Sequence, residues 1–196
     1  MSRIVLASRS ATRIALLKAA GIAFDATPSN VDERATESSM AAGRLPPIAV
    51  AQALAEAKAL ALGDLGDACV IGSDQVLEAE GERWSKPPSL DAARRQLATL
   101  AGRTHRLHTG VAGVRDGKVR WRHLDTARLT MRPLTTREID AYLDDIGEAA
   151  LTSVGAYQIE GPGIRLFERI EGDYFTILGL PVLPVLGWLR SEGALE

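Results

Sequence analysis

The dipeptide Asp116-Gly117 lies between two segments with a strand-like pattern, residues 104–114 and 118–124. Asp-Gly is a favoured dipeptide for the tight turn of a β-hairpin. Residues 79–82, Ala-Glu-Gly-Glu, are predicted to form a second hairpin turn. Antiparallel strands pair through tight turns of this kind, whereas parallel strands need long crossover connections. The hairpins therefore argue against a purely parallel, doubly wound sheet and predict a mixed sheet.

Strand-like and helix-like segments intermix along the whole chain, without an internal repeat or an obvious linker. We therefore expect one domain over residues 1–196 of the α/β (mixed α+β) class, with a mixed sheet and flanking helices. The predicted helices cover residues 12–20, 48–62, 90–100, 136–145 and 181–191, and the fourth is opened by the capping-box pattern of Thr135 and Glu138. The predicted strands cover residues 3–7, 23–28, a run from Cys69, 76–78, 83–85, 104–114, 118–124, 126–131, 155–159 and 164–170.

The charges of the chain are balanced, with 23 Lys and Arg against 25 Asp and Glu and a formal net charge of -2. Proteins that bind duplex nucleic acid normally carry a basic excess on one face, so we expect no nucleic-acid partner. No window of about 18 uninterrupted apolar residues is present to span a membrane. The first eight residues lack the pattern of a signal peptide, so a cytoplasmic protein is expected. The single cysteine, Cys69, excludes an internal disulfide and is predicted to be a buried strand residue.

The apolar run Cys69-Val70-Ile71 ends abruptly in Gly72-Ser73-Asp74. A buried strand that ends in this way delivers a carboxylate to the rim of a sheet, where it can meet water, metal and substrate. Lys86, in the sequence Ser85-Lys86-Pro87, offers a cation to the anion on which that carboxylate works. A carboxylate and a cation together suggest phosphate chemistry, with Asp74 as a candidate catalytic residue.

A second candidate anion site is the loop Ser8-Arg9-Ser10, which joins the strand at 3–7 to the helix at 12–20. Such a connection leaves free backbone N–H groups at the start of the helix, and hydroxyl and guanidinium groups beside them favour an anion. The alternative, in which Ser10 only caps the helix, fits the same segment equally well.

Lys58 is predicted to point toward the protein. Gln52 and Glu56 lie four residues apart on one solvated face of the helix at 48–62. Lys58 is rotated about 200° from Glu56, which places it on the apolar side. The alternative is that its long side chain extends back to water.

Zinc is not expected in this chain, because it has no Cys/His cluster. His105 and His108 are three residues apart in a predicted strand, so they face opposite sides and are assigned structural roles. His123 is predicted to lie at the surface. The P-loop and the dinucleotide-binding fingerprint do not occur either, so another phosphate site is needed. A hard cation bound by carboxylates stays open.

Two carboxylates, Asp74 and Glu33, stand out because each follows an apolar strand. Two carboxylates could hold Mg²⁺ against the phosphates of a nucleotide and leave one free to activate water. Arg13, Lys58 and Lys86 could then neutralise the charge that develops on the phosphate oxygens. Other carboxylates near turns are more typical of solvated turn residues; they are Asp32, Glu160 and Asp173.

Six motifs in one order resemble the Maf family of nucleoside triphosphate pyrophosphatases, over almost the full chain. They are Leu6-Ala7-Ser8-x-Ser10-x-x-Arg13-x-x-Leu16-Leu17, Val31-Asp32-Glu33, Ala57-Lys58-Ala59, Gly72-Ser73-Asp74-Gln75-Val76, Lys86-Pro87 and Gly179-Leu180-Pro181. Two more segments add to them, Gly155-Ala156-Tyr157 and Glu171-Gly172-Asp173. Each piece alone is weak, but six in the same order are highly specific.

The resemblance implies an elongated, two-lobed mixed α/β fold around a central cleft, similar to inosine triphosphate pyrophosphatases and commonly a homodimer. It implies hydrolysis of a nucleoside triphosphate between its α and β phosphates, with Mg²⁺ or Mn²⁺. By motif, Asp74 resembles the proton acceptor. The residues that resemble cleft residues are Ser8, Arg13, Glu33, Lys58 and Lys86, with Glu33 and Asp74 toward the metal and Lys58 and Lys86 toward catalysis.

The same resemblance bears on the substrate. Gln after Gly-Ser-Asp and Glu in the later Gly-rich segment are typical of the branch similar to 7-methyl-GTP pyrophosphatases, and Gln75 and Glu160 match them. Thr12 departs from this branch, which has Trp there and so a stacking partner worth about 1–3 kcal/mol per base. The expected substrate is 7-methyl-GTP. The alternatives are dTTP or UTP, and a regulatory nucleotide-binding protein of cell division with weak catalysis.

Overall fold

The computed structural model describes residues 2–31 and 45–196 of the chain. Its strands are β1 (Ile4–Leu6), β2 (Asp25–Ala26), β3 (Cys69–Ala79), β4 (Glu82–Trp84), β5 (Thr104–Arg115), β6 (Lys118–Met131) and β7 (Phe167–Glu171). They form one sheet in the order β2-β1-β3-β5-β6-β7, and β4 pairs with β3 beside this path. β1 is parallel to β2 and β3, whereas the pairs β3–β4 and β6–β7 are antiparallel. The predicted mixed sheet is confirmed.

Both predicted hairpin turns are present, each at two residues with positive φ. Asp116 and Gly117, between β5 and β6, have φ values of 51° and 65°. Glu80 and Gly81, between β3 and β4, have φ values of 54° and 81°. Positive φ at both central residues is what the type I′ hairpin turn requires. The strands around these turns run further than predicted, so the segments at 118–124 and 126–131 form the single strand β6.

The helices are α1 (Ala11–Ala19), α2 (Pro47–Leu60), α3 (Leu90–Leu100), α4 (Thr136–Ile146), α5 (Tyr174–Ile177) and α6 (Val182–Ser191). All five predicted helices are confirmed to within two residues at each end. Two have the expected caps: the Ser10 side chain accepts from the backbone N–H of Arg13, and Thr135 forms a capping box with Glu138. Helix α5 is a single turn, too short for a periodic pattern to reveal it.

The predicted strand at 155–159 is wrong. Residues Val154–Ala156 form a 3₁₀ turn, in which Gly155 and Ala156 have φ values of 79° and 62°. A Cβ atom at Gly155 would lie 2.6 Å from the Tyr157 ring. The chain therefore needs a glycine and a tight turn here, and extended backbone would not fit.

Two other predicted strands are shorter than expected. The segment at 23–28 pairs only over Asp25–Ala26, where its side chains are exposed. In the segment at 164–170, the strand begins at Phe167, because Pro162–Leu166 forms a 3₁₀ turn opened by a proline. Proline lacks the N–H that a strand ladder uses, so pairing starts only after this turn.

The chain divides into two compact units. The first comprises Met1–Gln75, His108–Asp125 and Asp173–Glu196, and the second comprises Val76–Leu107 and Thr126–Gly172. In the second unit, α3 and α4 are joined by an ion pair between Arg94 and Asp140 at 2.7 Å. Within the described ranges, we find no helix with the length and apolar character needed to cross a membrane.

In the first unit, alternate residues of β1 and β3 enter two hydrophobic cores. Ile4, Leu6 and Ile71 belong to one core with Trp188 of α6. Val5 and Val70 belong to the other, beside Ala59 of α2. Since successive strand residues point to opposite faces, both faces of the sheet are covered here. Cys69 lies in the first core and is fully buried, as predicted.

Candidate active site

The first unit contains a buried ion pair between Lys58 of α2 and Asp74 of β3. The ammonium nitrogen Nζ of Lys58 lies 2.5 Å from Oδ1 of Asp74, and each residue is only 7% exposed. The prediction that Lys58 points toward the protein is confirmed, and the alternative, in which its side chain extends to water, is wrong. Two opposite charges this far from water compensate each other, and either one alone would be strongly unfavourable.

Small residues bring this helix and strand together. A Cβ atom at Gly72 would lie 2.1 Å from the carbonyl oxygen of Ala55, and one at Gly110 of β5 would lie 2.5 Å from that of Ala51. Glycine is therefore needed at both positions for α2 to lie directly on the sheet. Because Gly72 and Asp74 are two residues apart in a strand, they share the face that α2 covers. The close packing sets Lys58 against Asp74.

Ser73 and Gln75 point to the other face of β3. The Ser73 hydroxyl donates to the carbonyl oxygen of Gly179 at 2.8 Å. Arg13 of α1 donates through Nε to the same carbonyl at 2.7 Å and through Nη1 to the Ser73 carbonyl at 2.9 Å. Arg13 thus ties α1 to β3 and to the turn after α5. This structural role is one that its motif did not predict.

The Gln75 amide is held by a network on the same face. Its Nε2 donates to Thr109 Oγ1 of β5 at 3.0 Å, and to the Thr176 and Ile177 carbonyls of α5 at 2.9 and 3.0 Å. Thr176 is itself bound through its hydroxyl to Asp125 at 2.7 Å and through its backbone N–H to Asp173 at 2.8 Å. The predicted substrate residue Gln75 is therefore a fixed group, but on the face of β3 opposite Asp74.

The loop before α1 has the predicted capping contacts. The Ser10 hydroxyl caps the helix at the N–H of Arg13, and the Ser8 hydroxyl accepts from the N–H of Ser10 at 3.2 Å. Ser8 is 8% exposed, and Thr12 is half-buried in the first turn of α1. The Ser10 cap is confirmed, and an anion site at this loop, with the role of Ser8 toward phosphate, stays a prediction.

The face of α2 that carries Gln52 and Glu56 is not simply solvated. Gln52 donates to the Val111 carbonyl of β5 at 3.2 Å, and Arg122 of β6 forms two hydrogen bonds to Glu56, at 2.8 and 2.9 Å. The hydrogen bond from Arg122 is the main reason that the pKa of Glu56 is lowered. This contact has no local signal in the sequence, because strand β6 is distant from α2 in the chain.

The remaining predicted site residues belong to the second unit or lie outside the described residues. Lys86 and Glu160 belong to the second unit, and both are exposed. Asp32 and Glu33 lie outside the described residues. The structure therefore brings together Lys58 and Asp74 on one face of β3, whereas the Gln75 side chain lies on the other.

Two of the histidines, His105 and His123, make contacts with aromatic side chains. His105 is 1% exposed, and its Nε2 lies 2.7 Å from the Tyr157 hydroxyl. Burial lowers the pKa of His105 to about 4, so its ring is neutral. His123 was expected at the surface, but it is half-buried and stacks on Trp121 with ring centroids 5.8 Å apart. This stack keeps His123 partly buried, because Trp121 packs against a buried core.

The described part of the chain offers Asp74 as a carboxylate for a cation. Over residues 2–31 and 45–196, no group of three or more His, Cys, Asp or Glu side chains is arranged to hold a metal ion. Mg²⁺ in nucleotide enzymes is usually held by one or two carboxylates together with substrate phosphates, and not by a complete protein cage. Asp74 is one such carboxylate, and a bound metal stays a prediction.

Comparison with known proteins supports the same chemistry. Residues 3–192 match the family described as Maf-like protein. The chain belongs to this family. The Maf resemblance drawn from the motifs is confirmed over nearly the full length.

Similar Maf-like relatives cover almost the whole chain. The 7-methyl-GTP pyrophosphatase of Brucella abortus biovar 1 (strain 9-941) is 50% identical over 195 residues, which are 99% of this chain and 98% of that protein. The 7-methyl-GTP pyrophosphatase of Rhizobium meliloti (strain 1021) is 51% identical over 194 residues, 98% of each chain. The nucleoside triphosphate pyrophosphatase of Caulobacter vibrioides (strain ATCC 19089 / CIP 103742 / CB 15) is 45% identical over 195 residues, 100% of this chain and 98% of that protein.

Proposed function

We propose that this Maf-like protein is a nucleoside triphosphate pyrophosphatase. It cleaves the bond between the α and β phosphates and releases a nucleoside monophosphate and pyrophosphate. The observation that carries this proposal is the buried pair of Lys58 and Asp74, 2.5 Å apart. It places a carboxylate base and a cation side by side, as hydrolysis of a polyphosphate requires. The names of the similar proteins point to the same reaction.

In this mechanism, Asp74 accepts a proton from a water molecule while the water oxygen bonds to the α phosphorus. The bond from that phosphorus to the oxygen bridging the α and β phosphates breaks, and pyrophosphate leaves with the bonding electron pair. The Lys58 ammonium lies beside the carboxylate and stabilises the negative charge on the phosphate oxygens. A cation fixed in place before the reaction needs no reorganisation when this charge develops.

The metal in this proposal is Mg²⁺ or Mn²⁺, with Asp74 as the described carboxylate and Glu33 as the second predicted ligand. Such an ion neutralises phosphate charge when it is bound with the nucleotide. Lys86 is proposed as a further cation toward the leaving phosphates. The homodimer implied by the family resemblance is part of the same proposal.

The preferred substrate in this proposal is 7-methyl-GTP. Gln75 and Glu160 match that branch of the family, and several relatives at about half identity carry that name. Thr12 in place of a tryptophan argues for weaker stacking on the base. The dTTP or UTP alternative therefore stays in the test. The cell-division alternative is less favoured, because nucleotide binding alone does not require a carboxylate held beside a buried lysine.

The experiment is a screen for pyrophosphate release with 7-methyl-GTP, GTP, UTP, dTTP and inosine triphosphate, with Mg²⁺ and with Mn²⁺. We expect Asp74→Asn to abolish release, because the amide cannot take a proton from water. Asp91→Asn, at an exposed aspartate of α3, is the matched control and retains full turnover. Near-normal turnover of Asp74→Asn would contradict the mechanism, and equal rates for 7-methyl-GTP and UTP would contradict the substrate preference.

A further inference from the structure

The orientation of the Gln75 side-chain amide decides which group it offers to a ligand. This inference rests on the proposed function, since it assumes that Gln75 contacts the base of a nucleotide. An amide has a donor end, Nε2 with two hydrogens, and an acceptor end, Oε1. Nε2 lies 2.9 Å from the Thr176 carbonyl and 3.0 Å from the Ile177 carbonyl. Because carbonyl oxygens only accept, the nitrogen must face α5.

Thr109 fixes the same orientation independently. Its hydroxyl donates to the Thr176 carbonyl at 2.9 Å, and a hydroxyl has a single proton to give. Toward Gln75 Nε2, at 3.0 Å, the Thr109 oxygen therefore accepts. Thr109 and Thr176 are both fully buried, so water does not compete for these bonds. Three acceptors surround the two N–H groups of the amide.

The oxygen end of the amide remains for a ligand. Over the parts of the chain that the structure describes, the side-chain hydrogen bonds of Gln75 are all made through Nε2. Gln75 is half-buried, whereas its partners Thr109 and Thr176 are buried. Oε1 is thus an acceptor whose direction is set by residues that never touch the ligand.

We propose that Thr109 is a positioning residue that holds the Gln75 oxygen outward, so that the site favours bases with a ring N–H on their Watson–Crick edge. Guanine, 7-methylguanine, uracil and thymine have such a donor. Adenine and cytosine have an acceptor nitrogen at that position, which would face Oε1 with no proton between them. A site that hydrogen-bonds one group discriminates against ligands that leave its polar atom unpaired.

The test measures kcat/KM for GTP, UTP, ATP and CTP with the full chain and its Thr109→Val variant. We expect the wild type to prefer GTP and UTP over ATP and CTP by at least about tenfold. In Thr109→Val this preference falls about tenfold, mainly through a higher KM for GTP and UTP, and Thr109→Ser retains it. Thr104→Val, in the same strand with its hydroxyl bound to Thr130, leaves the preference unchanged. Inhibition by inorganic tripolyphosphate, which has no base, stays the same in all variants.

Two results would overturn the proposal: a folded Thr109→Val protein with the wild-type preference, or a wild type that prefers ATP or CTP. Calorimetric binding of GMP and AMP separates this proposal from the proposed function. If no triphosphate were hydrolysed but GMP still bound more tightly than AMP in a manner that depends on Thr109, the hydrolase would be wrong and the positioning role right. If hydrolysis were normal and base preference did not depend on Thr109, the proposed hydrolase function would be right and the positioning role of Thr109 wrong.

Discussion

Gly72 and Ala55 are in backbone contact: a Cβ atom at Gly72 would lie 2.1 Å from the Ala55 carbonyl oxygen. Real Cβ atoms do not approach a heavy atom so closely. Because Asp74 lies two residues along β3 and Lys58 one turn along α2, this contact sets the distance across the ion pair. The site chemistry therefore depends on a residue without a side chain.

Gly72→Ala is expected to destabilise the protein and to reduce activity further than the loss of folded protein explains. The added methyl meets backbone, which cannot move aside as a flexible side chain would. Overpacking of this kind costs about 1–3 kcal/mol, and a shift of α2 would separate Lys58 from Asp74. The measurements are urea unfolding and pyrophosphate release per folded molecule.

Gly187→Ala is the matched control for that change. Gly187 lies inside α6, and a Cβ atom there meets nothing within 4 Å. Alanine in a helix interior is more favourable than glycine by roughly 0.5–1 kcal/mol, so this variant should be slightly more stable and fully active. If Gly72→Ala behaved like Gly187→Ala, the proposed packing constraint on the ion pair would be wrong.

The Lys58–Asp74 pair is expected to serve activity more than stability. Lys58→Met removes the ammonium that lies 2.5 Å from the buried Asp74 carboxylate and should cost about 3–5 kcal/mol of unfolding free energy. In the double variant Lys58→Met/Asp74→Leu both charges are gone, so most of that loss should be recovered. Neither protein should release pyrophosphate. Chemical denaturation of the wild type, both single variants and the double variant gives the coupling energy.

An additive double variant, as unstable as the sum of its single variants, would show that the two charges do not compensate each other. Recovery of pyrophosphate release in the double variant would remove the pair from the mechanism. Arg3 and Asp25 provide a control, because their ion pair is exposed at both partners. Removing this exposed ion pair should change the free energy of unfolding by at most about 1 kcal/mol.

His105 should make the protein less stable in acid. Its pKa falls from 6.5 to about 4 in the folded state because of burial, so the unfolded chain binds a proton more readily. The stability from its neutral form is present above pH 6.5 and is lost as the pH falls toward 4, by about 3 kcal/mol in total. His105→Gln, which keeps a polar partner for the Tyr157 hydroxyl, should lose less unfolding free energy over that range.

His123→Gln is the control for the acid prediction, because it removes another histidine that stacks on Trp121. Urea unfolding at several values between pH 7 and pH 4 gives the dependence for each protein. We expect the His123 variant to follow the wild type. Identical pH dependence of the wild type and His105→Gln would show that the buried ring does not contribute.

Local signals predicted most of the fold. Asp116-Gly117 marked a hairpin because its turn needs two positive φ values, and Thr135 with Glu138 marked a helix start through a capping box. The strand expected at 155–159 does not form, because the local sequence does not show the contacts that decide the backbone there. Gly155 has a positive φ, and a Cβ atom there would lie 2.6 Å from the Tyr157 ring. A Cβ atom at Gly155 would also lie 2.7 Å from Leu77 of β3, a residue distant in the chain, and that contact leaves no local pattern.

The site was predicted in part. The inward direction of Lys58 was predicted from its position around the helix. Asp74 was predicted as a site residue because it follows an apolar run. The stripe Ala51-Ala55-Ala59, spaced by four residues, is the sign in the sequence that α2 lies against glycines of the sheet. Thr109 could not be found in this way, because its role depends on α5, which follows 65 residues later in the chain.

Arg13→Lys is expected to weaken the structure as well as any binding of phosphate. Arg13 reaches two carbonyls at once, those of Gly179 and Ser73, from a rigid planar group. The single ammonium of lysine cannot match both directions, so we expect a loss of about 2 kcal/mol of unfolding free energy. Arg9→Lys, at an exposed residue of the same loop, should be neutral. Unchanged stability of Arg13→Lys together with a raised KM would assign Arg13 to the substrate alone.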